Sequence, residues 1–300
     1  MKHAILILCG AEYQHLPYLI RQFDERFNVY VHIDKKVVLP QDFQKCLVSK
    51  GGVKGVFQKF VTNWGSMNIV NAILSLCENS LRDKENTHFH LISGSDFPIA
   101  SNDEIINTCQ TEDDNYIEYF SLPTVRWNDG GMSRLQYFHP LDRLDFRNPC
   151  DKVCYVKFIE AQKQLGIKRE LLKITYYGGS TWWSLSRRSV EYIVVHQYQY
   201  NIYASMQDTY IPDEMFVQTL LLNSPLKCSL VNNNLRYIVW KYKNGHIPAN
   251  LDMEDYNNVI SSKKLFMRKI DQECSHGLIL EVSKHRFGSN VIFTNSIFDI

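Results

Sequence analysis

Several common signatures of nucleotide and metal sites are missing from this 300-residue sequence. It has no Gly-x-Gly-x-x-Gly and no Gly-x-x-x-x-Gly-Lys-Ser/Thr motif, which argues against a standard dinucleotide site and against a P-loop. No Asp-x-Asp triplet occurs, and the eight cysteines form no Cys-x-x-Cys pair and no zinc-finger spacing. A metal site built from the usual motifs is therefore not expected.

Neither an excess of charge nor a long apolar run is present. The formal net charge is +1, so no overall field draws the protein to nucleic acid. No stretch approaches the roughly 18 consecutive apolar residues of a membrane span, and the first apolar run, residues 4–8, is too short for a signal peptide. We therefore expect no transmembrane segment, no nucleic-acid partner, and a location in the reducing cytoplasm or peripherally at the inner face of the membrane.

The composition and the apolar pattern indicate an α/β protein. Apolar residues make up 45% of the chain and charged residues 22%, as in ordinary globular proteins. Short β-branched runs alternate with helical patterns, which predicts a Rossmann-like mixed sheet, largely parallel and flanked by helices. Strands are predicted at residues 4–8, 28–33, 55–57, 88–93, 116–120, 175–177, 182–185 and 235–240, and helices at 16–23, 66–79, 102–110, 187–199 and 214–222. Residues 121–175 and the tail after residue 270 show no regular pattern.

The most informative segment joins a glycine turn to a carboxylate pair. Gly-Gly-Ser-Thr-Trp-Trp occupies residues 178–183, and Pro-Asp-Glu follows at residues 212–214, at the start of an apolar helical pattern. Aromatic faces such as those of Trp182 and Trp183 stack on sugar rings, and a carboxylate such as Glu214 can take a proton from a sugar hydroxyl. Proline followed by acids is also an ordinary helix start. The presence of both features so close together favours a sugar site.

Polar side chains follow two of the predicted strands. Asp34 ends the second strand, and Ser95 and Asp96 follow the fourth, at the edge where open α/β sheets bind ligands. An acid at a strand end can accept hydrogen bonds from a ribose or a nucleobase, although a solvated turn acid explains Asp34 equally well. Trp64 precedes the helical pattern at 66–79 and suits either the core or a donor pocket. These four residues are candidates for a nucleotide site.

A nucleotide-sugar site without Asp-x-Asp needs positive side chains, because the leaving diphosphate must be stabilised. Arg236 opens the late strand, and a basic segment places Lys263, Lys264, Arg268 and Lys269 around an apolar centre. The competing interpretation is a solvated basic face. On the first interpretation these side chains replace a metal ion.

The irregular segment 121–175 contains candidates for an acceptor groove. Arg126, Trp127, Arg134 and Tyr137 lie there. Arginines in loops are commonly plain surface residues, so an exposed loop is the competing interpretation.

In their order along the chain, these segments resemble the core-2/I-branching β-1,6-N-acetylglucosaminyltransferase family, glycosyltransferase family 14, which also contains the peptide O-xylosyltransferases. The resemblance runs from residue 4 to residue 271 and is carried by the ordered set of motifs. The motifs are Val-His-Ile-Asp-Lys at 31–35, Trp-Gly at 64–65, His-Leu-Ile-Ser-Gly-Ser-Asp-Phe-Pro-Ile at 90–99, Gly-Ser-Thr-Trp-Trp-Ser-Leu-Ser-Arg at 179–187, Pro-Asp-Glu at 212–214, Arg-Tyr-Ile-Val-Trp at 236–240 and Phe-Met-Arg-Lys at 266–269. Unlike the animal members, the sequence shows no membrane anchor and no evident disulfide framework, which suggests a bacterial member.

The resemblance implies a GT-A-like single domain, with residues 1–120 as the donor-binding half and residues 121–300 as the acceptor-binding and catalytic half. It implies inverting transfer from a UDP-sugar without a divalent metal or another cofactor. Glu214 matches the catalytic base, Arg236 and Lys269 match the basic residues that bind the diphosphate, and Asp34 matches an acid near the uracil. The remaining expected contacts are Trp64, Ser95 and Asp96 with the donor, and Trp182, Trp183, Asp213, Arg134 and Tyr137 with the acceptor.

The leading functional prediction is transfer of GlcNAc from UDP-GlcNAc to a hydroxyl of a glycan or lipid-linked glycan, with a β-linkage, in cell-surface polysaccharide synthesis. Transfer from UDP-xylose is the first alternative. A non-catalytic protein that binds a nucleotide sugar or a glycan is the second, although such a protein needs no base beside a diphosphate site. A glycoside hydrolase would need two carboxylates across one bond and no diphosphate site.

Overall fold

The structure is a computed structural model that describes residues 1–49 and 51–288. Its strands are β1 (Lys2–Cys9), β2 (Phe27–Ile33), β3 (Val53–Phe57), β4 (Asn86–Ser93), β5 (Asp96–Pro98), β6 (Asn115–Ile117), β7 (Phe120–Ser121), β8 (Tyr177–Gly178), β9 (Trp183–Ser186), β10 (Leu230–Val231), β11 (Arg236–Ile238) and β12 (Phe266–Arg268). Its α-helices are α1 (Leu16–Ile20), α2 (Phe43–Val48), α3 (Met67–Leu81), α4 (Asn102–Thr108), α5 (Ser133–Gln136), α6 (Pro149–Gln164), α7 (Arg187–His196), α8 (Ile202–Met206), α9 (Phe216–Leu222), α10 (Tyr256–Ser261) and α11 (His276–Phe287). Shorter 3-10 helices lie at Tyr13–His15, Asn128–Gly131, Gln199–Asn201, Pro212–Glu214, Pro225–Ser229 and Met253–Asp255.

A mixed seven-stranded sheet forms the centre of the fold, in the order β10-β6-β9-β4-β1-β2-β3. The strands β4, β1, β2 and β3 run parallel to one another, whereas β9 is antiparallel to both β4 and β6. Strands from both halves of the chain therefore share one sheet. With helices on both of its faces, this sheet confirms the predicted α/β fold class.

The central strands alternate their side chains between two apolar layers. In β1, Ala4 and Leu6 pack into the layer that contains α3, α7 and α9, whereas Ile5 and Ile7 pack into the layer that contains α1, α4 and α11. A period of two with apolar residues on both sides is what a sheet buried on both faces requires. This explains why the run at residues 4–8 is apolar throughout.

A small sheet adjoins the carboxyl end of β4. The strand β5 follows β4 directly and pairs antiparallel with β12, which pairs in parallel with β11. The register places Arg268 opposite Asp96. A separate pair, β7 and β8, sets Phe120 opposite Gly178. The small sheet therefore brings the basic segment next to the end of a central strand.

The helix α6 lies in the segment for which the sequence predicts no regular structure. Only Tyr155 and Gln162 of this helix are buried, so no buried apolar face with a helical period marks it. Its start does carry a local signal, because the Asn148 side chain accepts hydrogen bonds from the N–H groups of Cys150 and Asp151. The Asn-Pro pair at residues 148–149 is therefore the sequence feature that marks the start of α6.

The last part of the chain also differs from the prediction. The helix α11 occupies the tail for which the sequence predicts no regular structure, and residues 289–300 of that tail lie outside the described residues. The predicted helix at 214–222 begins as a 3-10 turn at Pro212–Glu214, and its α-helical part starts at Phe216. Over residues 1–49 and 51–288, no helix is both long enough and apolar enough to cross a bilayer.

Candidate active site

The glycine turn and the Pro-Asp-Glu segment are in direct contact. The Gly179 N–H donates a hydrogen bond of 2.9 Å to the carbonyl of Glu214, and Gln218 Nε2 donates one of 2.7 Å to the carbonyl of Ser180. A Cβ at Gly179 would lie 1.9 Å from the carbonyl oxygen of Glu118, so no larger residue fits this close approach. The two segments that the sequence analysis combined therefore pack as one unit.

Asp213 is tied to the glycine turn. Its Oδ2 accepts a hydrogen bond of 2.7 Å from Thr181 Oγ1, while its Oδ1 is buried without a hydrogen-bond partner among the described residues. Burial raises the pKa of Asp213 above its usual value, and the bond from Thr181 partly offsets this. The contact of Asp213 with an acceptor stays a prediction.

Glu214 is a partly exposed carboxylate. Its side chain is 25% exposed, and its Oε2 pairs with Arg134 Nη1 at 2.8 Å. Burial, followed by the negative charge of Asp213, raises the pKa of Glu214 to about 7, while Arg134 acts in the opposite direction. A carboxyl group with this pKa can exchange a proton with a bound hydroxyl at neutral pH, so Glu214 has the properties of a general base.

Arg134 is held between aromatic rings. Its guanidinium lies 3.6 Å from the centre of the Trp127 ring and 5.8 Å from that of Tyr210. Tyr210 in turn packs edge-on against Trp64 at 5.6 Å. Because cation–π contacts stabilise the guanidinium where it lies, the charge of Arg134 stays directed at Glu214. The structure thus gives Arg134, predicted to line an acceptor groove, a direct contact with the candidate base.

The other residues predicted to contact the acceptor, Trp182, Trp183 and Tyr137, lie in three different environments. Trp182 is half-buried, and its ring centre lies 4.2 Å from the guanidinium of Arg268. Trp183 is 0% exposed and packs in the core, so the prediction that it stacks on an acceptor is wrong. Trp183 is the first residue of β9, in the central sheet that is covered on both faces, whereas Trp182 precedes the strand in the glycine turn. Tyr137 lies beside α6, with Lys163 Nζ 5.8 Å from its ring centre.

The basic segment supplies two side chains to the site. Arg268 stacks on Trp182 and lies 3.4 Å from Asp96 Oδ1. Burial lowers the pKa of Arg268, and the carboxylates of Asp96 and Glu12 oppose this effect. Burial and the positive charge of Arg268 together lower the pKa of the half-buried Lys269. A bound anion would relieve this repulsion, which suits the pair to a diphosphate.

Sequence reasoning missed Glu12 and Tyr210. Glu12 follows β1 and lies against Gly94 at the end of β4, where its charge acts on Arg268. Its position beyond a strand end is the same signal that selected Asp34. Tyr210 is separated from the Pro-Asp-Glu motif by one residue, and only the fold shows that it packs against Arg134.

Arg236 lies in the interior. It is 3% exposed, and its guanidinium donates hydrogen bonds to the carbonyls of Leu91 and Trp183, at 2.9 and 2.7 Å, and to Ser184 Oγ at 2.8 Å. Burial lowers its pKa to about 9. Both terminal nitrogens are engaged in joining β11 to β4 and β9, so the prediction that Arg236 binds the diphosphate is wrong.

Arg236→Met is therefore expected to lower the free energy of unfolding by about 3 kcal/mol, because it leaves several buried acceptors without donors. Urea denaturation measures this loss. Arg188→Met, at an exposed position of α7, is the control and should change stability by less than about 0.5 kcal/mol. A variant at Arg236 with unchanged stability and weakened UDP binding would contradict the interior role.

Of the other donor candidates, Trp64 is exposed and Ser95 is half-buried, whereas Asp34 is buried. The Oδ1 atom of Asp34 accepts hydrogen bonds from the N–H groups of Lys36 and Thr62, at 3.0 and 3.3 Å, which orders the loops around it. Their contacts with a donor stay predictions. In the described part of the chain, no three His, Cys, Asp or Glu side chains are grouped so as to hold a metal ion.

Asp96 belongs to the interior of the turn after β4. It is 0% exposed, and its two oxygens accept hydrogen bonds from Ser93 Oγ at 2.7 Å and from the Ser93 N–H at 3.0 Å. The prediction that Asp96 contacts the donor is therefore wrong. Its carboxylate instead faces Arg268, whose guanidinium it helps to place.

The chain belongs to the Core-2/I-Branching enzyme family, whose family model matches residues 4–260. This confirms the resemblance found in the sequence. Among its relatives, Xylosyltransferase 2 of Mus musculus is 25% identical to this chain over 317 residues. Xylosyltransferase 1 of Homo sapiens is 26% identical over 311 residues. Each of the two matches covers 95% of this chain. The matches cover 33% and 30% of those proteins, so the chain spans about a third of their length.

Among solved structures, the glycosyltransferase GlyE of Streptococcus pneumoniae is similar to this chain, with a TM-score of 0.44 and 8% sequence identity. The alignment covers 94% of this chain and 60% of the GlyE chain.

Proposed function

We propose that the protein is an inverting glycosyltransferase that moves a sugar from a UDP-sugar to an acceptor hydroxyl without a divalent metal. The observation that carries this proposal is Glu214, a partly exposed carboxylate with a pKa of about 7 that is held by Arg134 and lies close enough to Arg268 for their charges to interact. A general base beside concentrated positive charge is the combination that such a transfer needs. Membership of the Core-2/I-Branching enzyme family supports the same class of reaction.

In the proposed reaction, Glu214 takes the proton of the acceptor hydroxyl while the hydroxyl oxygen attacks the anomeric carbon of the donor. The bond between that carbon and the diphosphate oxygen breaks, and its electrons leave with UDP. Attack from the side opposite to UDP inverts the configuration and forms a β-linkage from an α-linked donor. Lys269, with Arg268 beside it, stabilises the negative charge on the leaving diphosphate.

We place the acceptor and the nucleotide on opposite sides of Glu214. The acceptor, a glycan or lipid-linked glycan of a cell-surface polysaccharide, would lie against Trp182, and the nucleotide would lie at the sheet edge near Asp34 and Trp64. Aromatic rings near the base suit a sugar, because the C–H face of a pyranose packs on an apolar ring. A lipid-linked acceptor would place the reaction at the inner face of the membrane.

The two candidate donor substrates are UDP-GlcNAc and UDP-xylose. The resemblance in the sequence favours UDP-GlcNAc, whereas the names of the matched relatives favour UDP-xylose. Calorimetry with UDP, UDP-GlcNAc, UDP-xylose and UDP-glucose, each with and without EDTA, distinguishes them. We expect one UDP-sugar to bind most tightly, with the same affinity in EDTA. Binding that EDTA abolishes and Mn²⁺ restores would contradict the role of Lys269, and binding without any transfer or release of UDP would favour the non-catalytic alternative.

The pH dependence of transfer is expected to follow Glu214. Because the base acts only when it is deprotonated, kcat/KM should rise as the pH increases through about 7 and then level off. Arg134 lowers the pKa of Glu214 and Asp213 raises it. Arg134→Gln should therefore move the acid limb of the pH–rate profile to higher pH, and Asp213→Asn should move it to lower pH. Identical profiles for all three proteins would show that another group is the base.

A further inference from the structure

The indole of Trp127 fills a slot that two glycines leave open. A Cβ at Gly178 would lie 2.4 Å from Trp127 Cη2, and a Cβ at Gly131 would lie 2.6 Å from Trp127 Cε3. Both distances are too short for a real Cβ contact, so a larger residue at either position would displace the ring. The six-membered ring of the indole is therefore fixed along one edge by backbone that carries no side chain.

Two further contacts fix the orientation of the indole. Phe120, which is opposite Gly178 in the pair β7 and β8, meets the indole edge-on, with 5.0 Å between the ring centres. The guanidinium of Arg134 lies over the indole, 3.6 Å from its centre. Because a cation is attracted to the face of an aromatic ring, the fixed indole determines where this guanidinium lies. The same guanidinium donates the hydrogen bond of 2.8 Å to Glu214 Oε2.

The slot of Trp127 adjoins the backbone support of Glu214. Gly178 bounds the slot, and the next residue, Gly179, donates its N–H to the carbonyl of Glu214 at 2.9 Å. The glycine turn therefore supports Glu214 in two ways. It binds the backbone of Glu214 directly, and it holds the side chain through Trp127 and Arg134.

The ion pair needs this support to keep one geometry. The side chains of Arg134 and Glu214 are 17% and 25% exposed, so water competes for both. Ordering a long, flexible side chain such as arginine also costs conformational entropy. A tryptophan has only two side-chain dihedral angles, and the slot restricts both. A rigid ring can thus order a flexible arginine at a small entropic cost.

We propose that Trp127 is a positioning residue of sugar transfer, which orders the Arg134 guanidinium on the carboxylate of Glu214. Its role in transfer rests on the proposed function, in which Glu214 is the base, whereas the ordering of the ion pair does not. A base that is held in one geometry reaches the acceptor hydroxyl with less loss of conformational freedom, so the turnover number depends on this order. Trp127 acts in this way through Arg134.

The charges around Glu214 determine how a loss of order would be observed. The side chains whose charges interact with that of Glu214 are Arg134, Asp213, Glu118, Tyr210 and Arg268. Burial and the two carboxylates raise the pKa of Glu214, whereas Arg134 lowers it. A guanidinium that is less well ordered lowers the pKa less. Loss of the Trp127 ring should therefore raise the pKa of Glu214.

Titration of Glu214, followed by the ¹³C NMR signal of its carboxyl carbon, tests the ordering without a transfer assay. The signal is assigned by its loss in Glu214→Gln. Trp127→Leu is expected to raise the pKa of Glu214 and to lower kcat about 10-fold, with the KM of the donor nearly unchanged. Trp127→Phe, which keeps a smaller ring beside the guanidinium, should raise the pKa less and retain more of kcat. It also serves as the test variant if Trp127→Leu does not fold.

A second background shows whether Trp127 acts through Arg134. The pKa of Glu214 in Trp127→Leu/Arg134→Gln should equal that in Arg134→Gln, because the guanidinium to be ordered is already absent. The matched control is Phe287→Leu, which removes a ring that lies 4.8 Å from another guanidinium, that of Arg286 in α11. This control should leave the pKa of Glu214 and kcat unchanged.

An unchanged or lowered pKa of Glu214 in the folded Trp127 variants would overturn the proposal. So would an equal rise with and without the guanidinium of Arg134, or an equal rise in Phe287→Leu. A raised pKa in Trp127→Leu, in a protein for which the unmodified chain transfers no sugar, would uphold the ordering of the ion pair and count against the proposed function alone.

Discussion

Glu214→Gln is expected to lower kcat for sugar transfer by at least about 10²-fold and to leave the affinity for UDP nearly unchanged. Glutamine has the size of glutamate, and its carbonyl oxygen can still accept a hydrogen bond from Arg134. It cannot take up the proton of an acceptor hydroxyl, so only the chemical step loses its base. Initial rates with a donor and an acceptor, together with calorimetry of UDP binding, measure the two effects separately.

Asp213→Asn is the matched control for this experiment. It removes the neighbouring carboxylate, keeps a group that can accept the hydrogen bond from Thr181, and leaves Glu214 in place. We expect a much smaller change in kcat, mainly through the shifted pH dependence. If Glu214→Gln unfolded the protein or abolished UDP binding, Glu214 would be a structural residue of the helix start. If the variant transferred sugar at the normal rate, the base would lie elsewhere.

Lys269→Met is expected to weaken UDP binding by about 10-fold to 100-fold, which corresponds to the loss of one charged hydrogen bond. Methionine keeps the length and much of the apolar stem of lysine, so the half-buried position stays filled. The turnover number should fall as well, because the same charge stabilises the leaving diphosphate. Calorimetry with UDP and single-turnover rates distinguish the loss of ground-state binding from the loss in the transition state.

Lys264→Met provides the comparison within the same basic segment. Its ammonium donates a hydrogen bond of 2.8 Å to Asn233 Oδ1, and no contact of the candidate site depends on it. This variant should bind UDP like the unmodified protein. Equal losses in both variants would indicate a diffuse basic face in place of a diphosphate site. Full UDP affinity in Lys269→Met would move the diphosphate to other residues.

Much of the fold was predictable because the elements around the central sheet carry regular apolar patterns. The strand β1 is apolar on both faces, and α3 has an apolar face of helical period, so both were recognised close to their observed bounds. The helices α6 and α11 were missed. In α6 the buried set is limited to Tyr155 and Gln162, and a helix that buries so little leaves almost no periodic signal.

The candidate site was predictable where its parts are close in sequence or part of an ordered motif. Glu214 and the turn at Gly179 were combined from sequence alone, and the hydrogen bond between their backbones bears out their proximity. The positions of Arg236, Asp96 and Trp183 were not predictable in this way. Each lies in or next to a short strand whose local sequence is compatible with either an inward or an outward side chain.

By itself the sequence determined the α/β fold class, the family, and the pairing of a glycine turn with a carboxylate pair, because all of these rest on short-range periodicity and on motifs read in order. Only the tertiary structure decided which charges face the site. The insertion of β9 between β4 and β6, and the pairing of β12 with β5, turned Arg236 and Asp96 inward and left Lys269 half-buried beside Arg268. The physical reason is that burial of a side chain depends on strands that are distant in sequence, whereas a motif reports only its immediate neighbours.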